Sequence, residues 1–291
     1  MATVFAPLGT QELAASLADP RTRVVDCRFF LLEPERGRRD YLAGHIPGAA
    51  YADLDLDLSA RVTPESGRHP LPDPDEFVLT LRRLGISRTT RVVVYDDGPG
   101  AVAARLWWML RWVGHDDVVL LDGGFAAWTQ AGLPVESGRE RIGEGDFERT
   151  GLRDLVWTTA DVELLVTGGR KLLLVDARDA ARFRGEAEPI DRVAGHVPGA
   201  QNLPFPVSLT GTGTWKSARE LAAAWSAVGP VTAGQPWGVM CGSGVTACHL
   251  ALSAMLAGLP EPRLYAGSWS EWIRDARRPV ASGPRAPGGD G

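Results

Sequence analysis

Seven consecutive residues carry the strongest chemical signal in the chain: Met240-Cys241-Gly242-Ser243-Gly244-Val245-Thr246. The apolar run 237–240 reads as a buried strand that stops at the cysteine, and 245–256 reads as the helix that follows. Two glycines between them let the backbone curl, so that several N–H groups turn inward. A sulfur held at such a nest and helix N-terminus is stabilised as the thiolate, the form that acts as a nucleophile. The competing reading is a small buried cysteine beside a tight turn. The strand, the glycine-rich turn and the helix together favour the nucleophile. In open parallel sheets, ligands bind beyond the carboxyl ends of the strands, which is where this cysteine stands.

The elements that must position this loop occur twice. TRVVDCRFF and AGHIPGAAYADLD in the first half are matched by LLLVDARDA and AGHVPGAQNLPF in the second. ARLWWMLRWVGHDDVVLLDGGFAAW is likewise matched by CHLALSAMLAGLPEPRLYAGSWSEW. Asp26 and Asp176 lie 150 residues apart, too long a period for a solenoid, so the chain reads as a duplicated domain. In the first half, helices are predicted at 10–17 (with Thr10 as N-cap), 74–84, 101–113 and 123–130, and strands at 23–26, 91–95 and 118–121. The second half repeats this, with helices at 159–166, 217–228, 245–256 and 267–275 and strands at 171–175, 237–240 and 263–265. Short β-rich runs separated by helices predict an α/β fold: two domains, each a mainly parallel sheet flanked by helices on both faces. The expected boundaries are 1–140 for the first domain, a polar linker at 141–155, and 156–291 for the second. Asp96 occupies the place in the first half that Cys241 holds in the second, so only the second half can do thiol chemistry there.

The length of 291 residues suits two domains at about 150 residues each. With 31 Lys+Arg against 36 Asp+Glu the formal net charge is −5, a poor basis for binding nucleic acid. Lys171 and Lys216 are the only lysines, and the prevalence of arginine reads mainly as base-composition bias. Cys27, Cys241 and Cys248 make no disulfide framework and fit a reducing compartment, so a cytoplasmic location is expected. No secretory signal is apparent, and no apolar run approaches the roughly 18 residues of a membrane span. With no metal constellation, phosphate loop or nucleotide fingerprint, neither cofactor nor metal is expected. Asp26, Asp176, His45 and His196 recur in both halves and read as structural. Cys27 and Cys248 read as small core residues, and Trp107, Trp108 and Trp112 as a packing surface.

The cysteine loop, the duplicated AGHIPGA/AGHVPGA and the DGGFAAW/AGSWSEW signatures resemble the tandem-domain sulfurtransferases of the rhodanese family over nearly the whole chain. That family has two rhodanese domains, of which the second keeps the catalytic cysteine. Thiosulfate-preferring members resemble CRKGVT. Gly242 and Ser243 stand where those have two cations, so CGSGVT resembles the loop of the 3-mercaptopyruvate sulfurtransferases. A neutral loop offers less to a dianion, whereas a carboxylate suits bidentate arginine. In that subfamily an arginine of an RFRG motif holds the substrate carboxylate, which the resemblance carries to Arg182. The spacing of its second arginine falls on Asp191, with Arg192 the nearest candidate. The subfamily's Ser–His–Asp relay matches Ser243, His69 and Asp55. The loop backbone at Gly242, Gly244, Val245 and Thr246 completes the expected site. Without the resemblance, Asp55 would read as part of a solvated turn and His69 as a residue of a Pro-rich loop.

The expected reaction takes sulfur from the small-molecule donor 3-mercaptopyruvate as a Cys241 persulfide, and passes it to cyanide, a thiol or a thioredoxin-like protein. The alternative is the same chemistry with thiosulfate as donor. A phosphatase on this fold needs arginine six positions after the cysteine, where Ala247 stands. A non-enzymatic sulfur carrier would form the persulfide with poor turnover.

Overall fold

The computed structural model of the chain describes residues 6–168, 172–229, 231 and 234–283. They divide into two compact units that are not continuous in sequence. The residues up to Arg61 join Leu71–Asp154 and Leu209–Lys216 in the first; Val62–Pro70, Leu155–Ser208 and the chain from Ser217 onward make the second.

The first unit runs α1 (Thr10–Ser16), β1 (Thr22–Asp26), α2 (Pro34–Ala43), β2 (Ala50–Tyr51), α3 (Pro74–Arg83), β3 (Arg91–Tyr95), α4 (Ala103–Trp112), β4 (Val118–Leu120) and α5 (Gly124–Gln130). Its four strands are all parallel, in the order β2-β1-β3-β4. β3 is β-branched and buried from Val92 to Tyr95, as a strand covered on both faces must be. α3 starts where Asp73 accepts the Asp75 N–H at 2.8 Å and Pro74 opens the first turn, and it buries Phe77, Val78 and Leu81. Every residue of α4 is buried, the three tryptophans and Arg105 and Arg111 included. The cap of α1 differs from expectation. Gly9 is the N-cap and makes no side-chain bond, while Thr10 already lies inside the helix.

The second unit runs β5 (Val156–Trp157), α6 (Thr159–Val166), β6 (Leu173–Asp176), α7 (Ala180–Arg184), β7 (Gln201–Asn202), α8 (Ala218–Trp225), β8 (Trp237–Met240), α9 (Thr246–Leu256), β9 (Arg263–Tyr265) and α10 (Ser268–Trp272). The order is β5-β9-β8-β6-β7, again all parallel. Capping boxes at Thr158/Asp161 and Ser217/Glu220 set the starts of α6 and α8. α8 tightens into a 3-10 turn at Ser226–Val228, and α10 stops at Trp272, short of the predicted 275. The predicted start of β6 at Lys171 lies outside the described residues.

β7-β6-β8-β9 repeats β2-β1-β3-β4, and so do the buried ion pairs at the strand ends. Asp26 binds Arg28 at 2.6 Å, and Arg28 also bonds the Gly44 carbonyl; Asp176 binds Arg178 at 2.8 Å, and Arg178 bonds the Gly195 carbonyl. His45 and His196 place Nδ1 on the carbonyls of Tyr41 and Phe183, at 2.8 and 2.7 Å. Each imidazole stacks on the aromatic ring it follows. These residues brace the loops of their own halves. No helix among the described residues is long and apolar enough to cross a membrane.

Candidate active site

Cys241 follows the last residue of β8 and is 2% exposed. Its Sγ accepts the Gly244 N–H at 3.1 Å, and its own N–H donates to Ser268 Oγ at 3.0 Å. The Cys241 and Gly242 carbonyls accept the N–H groups of Trp269 and Ser270, so the loop is stitched to the first turn of α10. Gly244 sits at φ +79°, and a Cβ there would meet the Ala266 carbonyl oxygen at 2.4 Å, so no other residue fits. Val245 is the N-cap of α9 and Thr246 its first residue, which puts the helix N-terminus immediately behind the sulfur.

Ser268 is the one described non-glycine residue with positive φ, at +54°. Such a conformation costs roughly 1–3 kcal/mol and persists only where the surroundings over-determine it. Here they do: Ser268 Oγ donates to the Tyr265 carbonyl at 2.8 Å while accepting from Cys241. Sequence reasoning missed Ser268. Its signal lay in the repeat, because it stands where the first half has Gly124, at φ +58°.

His69 reaches this loop because segment 62–70 packs in the second unit. Gly67 lies so close to Gly267 that a Cβ would meet its carbonyl oxygen at 2.6 Å. The Arg68 N–H bonds Ser270 Oγ at 3.0 Å, and Arg274 Nε bonds the Ser66 carbonyl at 3.0 Å. The segment so fixed brings His69 Nδ1 to 2.8 Å from Ser243 Oγ, both residues being buried. Asp55 belongs to the first unit, in the turn after β2, with its N–H on Asp53 Oδ1 at 2.9 Å. Burial, and then the charge of Asp53, raises its carboxyl above the ordinary aspartate range.

Arg182, on α7, bonds Glu188 at 2.8 Å and Asp191 at 3.1 Å. Asp191 also pairs with Arg68. Burial pushes the Asp191 carboxyl up against the pull of Arg68, whereas at Glu188 burial is outweighed by hydrogen bonds from Arg182 and two backbone amides, and the carboxyl falls below its usual value. Arg68 and Arg182 both lie over Gly242: a Cβ there would be 2.9 Å from Arg68 Nη2 and 3.7 Å from Arg182 Nη2. Arg192 is not brought to the loop. It is exposed, and its Nη2 is spent on the carbonyls of Ile273 and Arg274 at the end of α10.

Cys27 is fully buried, and burial carries its thiol well above the usual range; Cys248 is buried with Sγ on the Gly244 carbonyl at 3.2 Å. Among the described residues, His45, Glu136 and Glu140 bring three possible metal-binding atoms within 4.8 Å of one another. They lie in the first unit, where His45 Nε2 pairs with Glu140 at 3.5 Å.

A parallel sheet carrying a cysteine at a glycine-rich strand-to-helix turn, built twice with the cysteine in one copy, defines a class of fold. The profile of the rhodanese-like domain matches residues 9–131 and 158–275. The chain belongs to the rhodanese family. It is 50% identical over 281 residues to the probable 3-mercaptopyruvate sulfurtransferase of Pseudomonas aeruginosa, covering 95% of this chain and 98% of that protein. It is 40% identical over 276 residues to the putative thiosulfate sulfurtransferase SseB of Mycobacterium tuberculosis, covering 94% and 95%. The crystal structure of SseA from Escherichia coli, a 3-mercaptopyruvate sulfotransferase, superposes with a TM-score of 0.79 at 36% identity, over 92% of this chain and 100% of that one.

Proposed function

We propose that this chain moves sulfur from 3-mercaptopyruvate, through a persulfide on Cys241, to a thiophilic acceptor. It is a sulfurtransferase. The observation that carries the reading is Cys241 Sγ at the head of a neutral glycine turn, whose Ser243 Oγ lies 2.8 Å from His69 Nδ1 of segment 62–70. The Cys241 thiolate attacks the mercapto sulfur. The bond from that sulfur to C3 breaks, and its electron pair stays on carbon as the enolate of pyruvate. The mercapto proton leaves through Ser243 and His69, and C3 takes up a proton to complete pyruvate. The family resemblance assigns the third place of the relay to Asp55. Arg182 holds the carboxylate. The Gly244 N–H and the N-terminus of α9 stabilise the persulfide anion. A thiol, a thioredoxin-like protein or cyanide then attacks the outer sulfur and restores the thiolate. The described cysteines are all free, which suits the cytoplasm as the place of this reaction. Residues 156–291 hold the nucleophile, and 1–140 form the copy without it, whose segment 62–70 supplies His69 to the relay.

A second reading, thiosulfate as the main donor, is favoured by the two guanidinium groups over Gly242. Specificity constants for the two donors decide between them. Cys241→Ser abolishes pyruvate release, and retained turnover overturns the persulfide. Ser243→Ala and His69→Ala lower kcat/KM for mercaptopyruvate by about 10²-fold or more and that for thiosulfate far less. Equal losses on both donors overturn the relay.

A further inference from the structure

We propose that Arg68 is the second anchor of the donor's carboxylate and closes a clamp over Gly242 with Arg182, in the role for which Arg192 is the nearest candidate in sequence. The inference rests on the reading of 3-mercaptopyruvate as donor.

A row of alternating charges leads to this point. Asp176 pairs with Arg178 at 2.8 Å, Arg178 with Glu188 at 3.5 Å, Glu188 with Arg182 at 2.8 Å, Arg182 with Asp191 at 3.1 Å, and Asp191 with Arg68. Three guanidinium groups meet three carboxylates, so the row is neutral. It ends on a cation beside the cysteine loop, and the next place in the alternation suits an anion. Arg68 is built to receive one. Its Nη1 is occupied by Asp191, but its Nε is buried and meets no hydrogen-bond acceptor among the described residues. A buried guanidinium N–H without an acceptor is costly, and a carboxylate over Gly242 would supply the acceptor. Its Nη2 already faces the space where Gly242 lacks a side chain. Arg182 Nη1, which makes no hydrogen bond among the described residues, faces the same space at 3.8 Å from that point.

Arg68 is also held in position. Its N–H is fixed on Ser270, and its neighbour His69 is fixed on Ser243. The guanidinium that would meet the carboxylate and the imidazole that would take the mercapto proton are therefore adjacent residues of one segment.

The test separates binding from turnover. Cys241→Ser protein, which cannot form the persulfide, is titrated calorimetrically with 3-mercaptopyruvate, alone and combined with Arg68→Met, Arg68→Lys or Arg192→Met. The same substitutions in the active chain are assayed for KM and kcat. The expected result is that Arg68→Met raises Kd and KM at least tenfold with kcat changed far less, that Arg68→Lys recovers part of the loss, and that Arg192→Met has the smaller effect. Binding unchanged by Arg68→Met, or a larger loss in Arg192→Met, overturns the clamp and leaves the activity standing. A wild-type chain that binds mercaptopyruvate through Arg68 but releases no pyruvate overturns the activity and leaves the clamp. If Cys241→Ser binds no mercaptopyruvate, both fall.

Discussion

The loops after β3 and β8 stand at the same place in two copies of one parallel sheet, and they treat the space inside the turn differently. In the first copy Asp96 fills it. Its Oδ1 accepts the N–H groups of Gly98 and Gly100 at 3.1 and 2.9 Å, and its Oδ2 those of Val102 and Ala103 at 2.8 and 3.2 Å. Four backbone donors converge on one carboxylate, and α4 begins seven residues after Asp96. In the second copy the helix begins five residues after Cys241, so the turn is two residues shorter, and a sulfur lies against the Gly244 N–H. The pair teaches what the turn is for. It is an anion cradle by backbone geometry alone. One copy satisfies it permanently with its own side chain. The other leaves room in it for the thiol of Cys241.

Gly244→Ala should have the largest effect on this contrast. Its Cβ would have to enter the Ala266 carbonyl, so the cradle would open and turnover would fall about 10²-fold, as small misplacements of reacting groups do. Activity within threefold of the parent would break the comparison. Asp96→Ala strips the acceptor from four N–H groups, two of them on the buried Gly100 and Ala103. Chemical denaturation should show a loss of roughly 3 kcal/mol, and an unchanged midpoint would mean that the first cradle needs no anion. Ser268→Ala removes the acceptor of the Cys241 N–H and should cost roughly 1–2 kcal/mol. Ser268→Gly should cost less, because glycine relieves the positive φ; the reverse order of the two variants would refute the strain argument. The smallest effect is shared by the copies. Burial lowers the histidine pKa of His115 in the first and His196 in the second. Both are then held neutral in the fold, and their contribution is full above the unfolded value near 6.5 and is lost as pH falls toward the depressed folded values. The thermal midpoint should drop between pH 7.5 and 5.5, less steeply in His115→Gln and in His196→Gln. A parallel slope in both variants would remove these residues from the account.

Much of the sheet could be read in advance because buried parallel strands are nearly continuous apolar runs. β3, β8 and β9 lie where the pattern puts them. The two-residue strands β2, β5 and β7 are too short to show any period. α2 buries only Gly37 and Tyr41 and so has no apolar stripe to recognise. Its Gly37 is required because a Cβ would fall 1.9 Å from the Arg28 carbonyl oxygen, a contact no local pattern encodes.

The same division holds at the site. Sequence alone determined the duplication, the strand–cysteine–glycine–helix turn and the aspartate in place of the thiol in the first copy, because each is a property of neighbouring residues or of a repeat in register. Tertiary structure decided everything that joins distant segments. It sent 62–70 into the second unit, set His69 on Ser243 across 174 residues and Arg68 on Asp191 across 123, and spent Arg192 on the end of α10. Local propensity and periodicity reach about one turn or one strand. Which guanidinium faces the cysteine loop depends on how far segments approach and which charges they meet there, and only the folded chain fixes both.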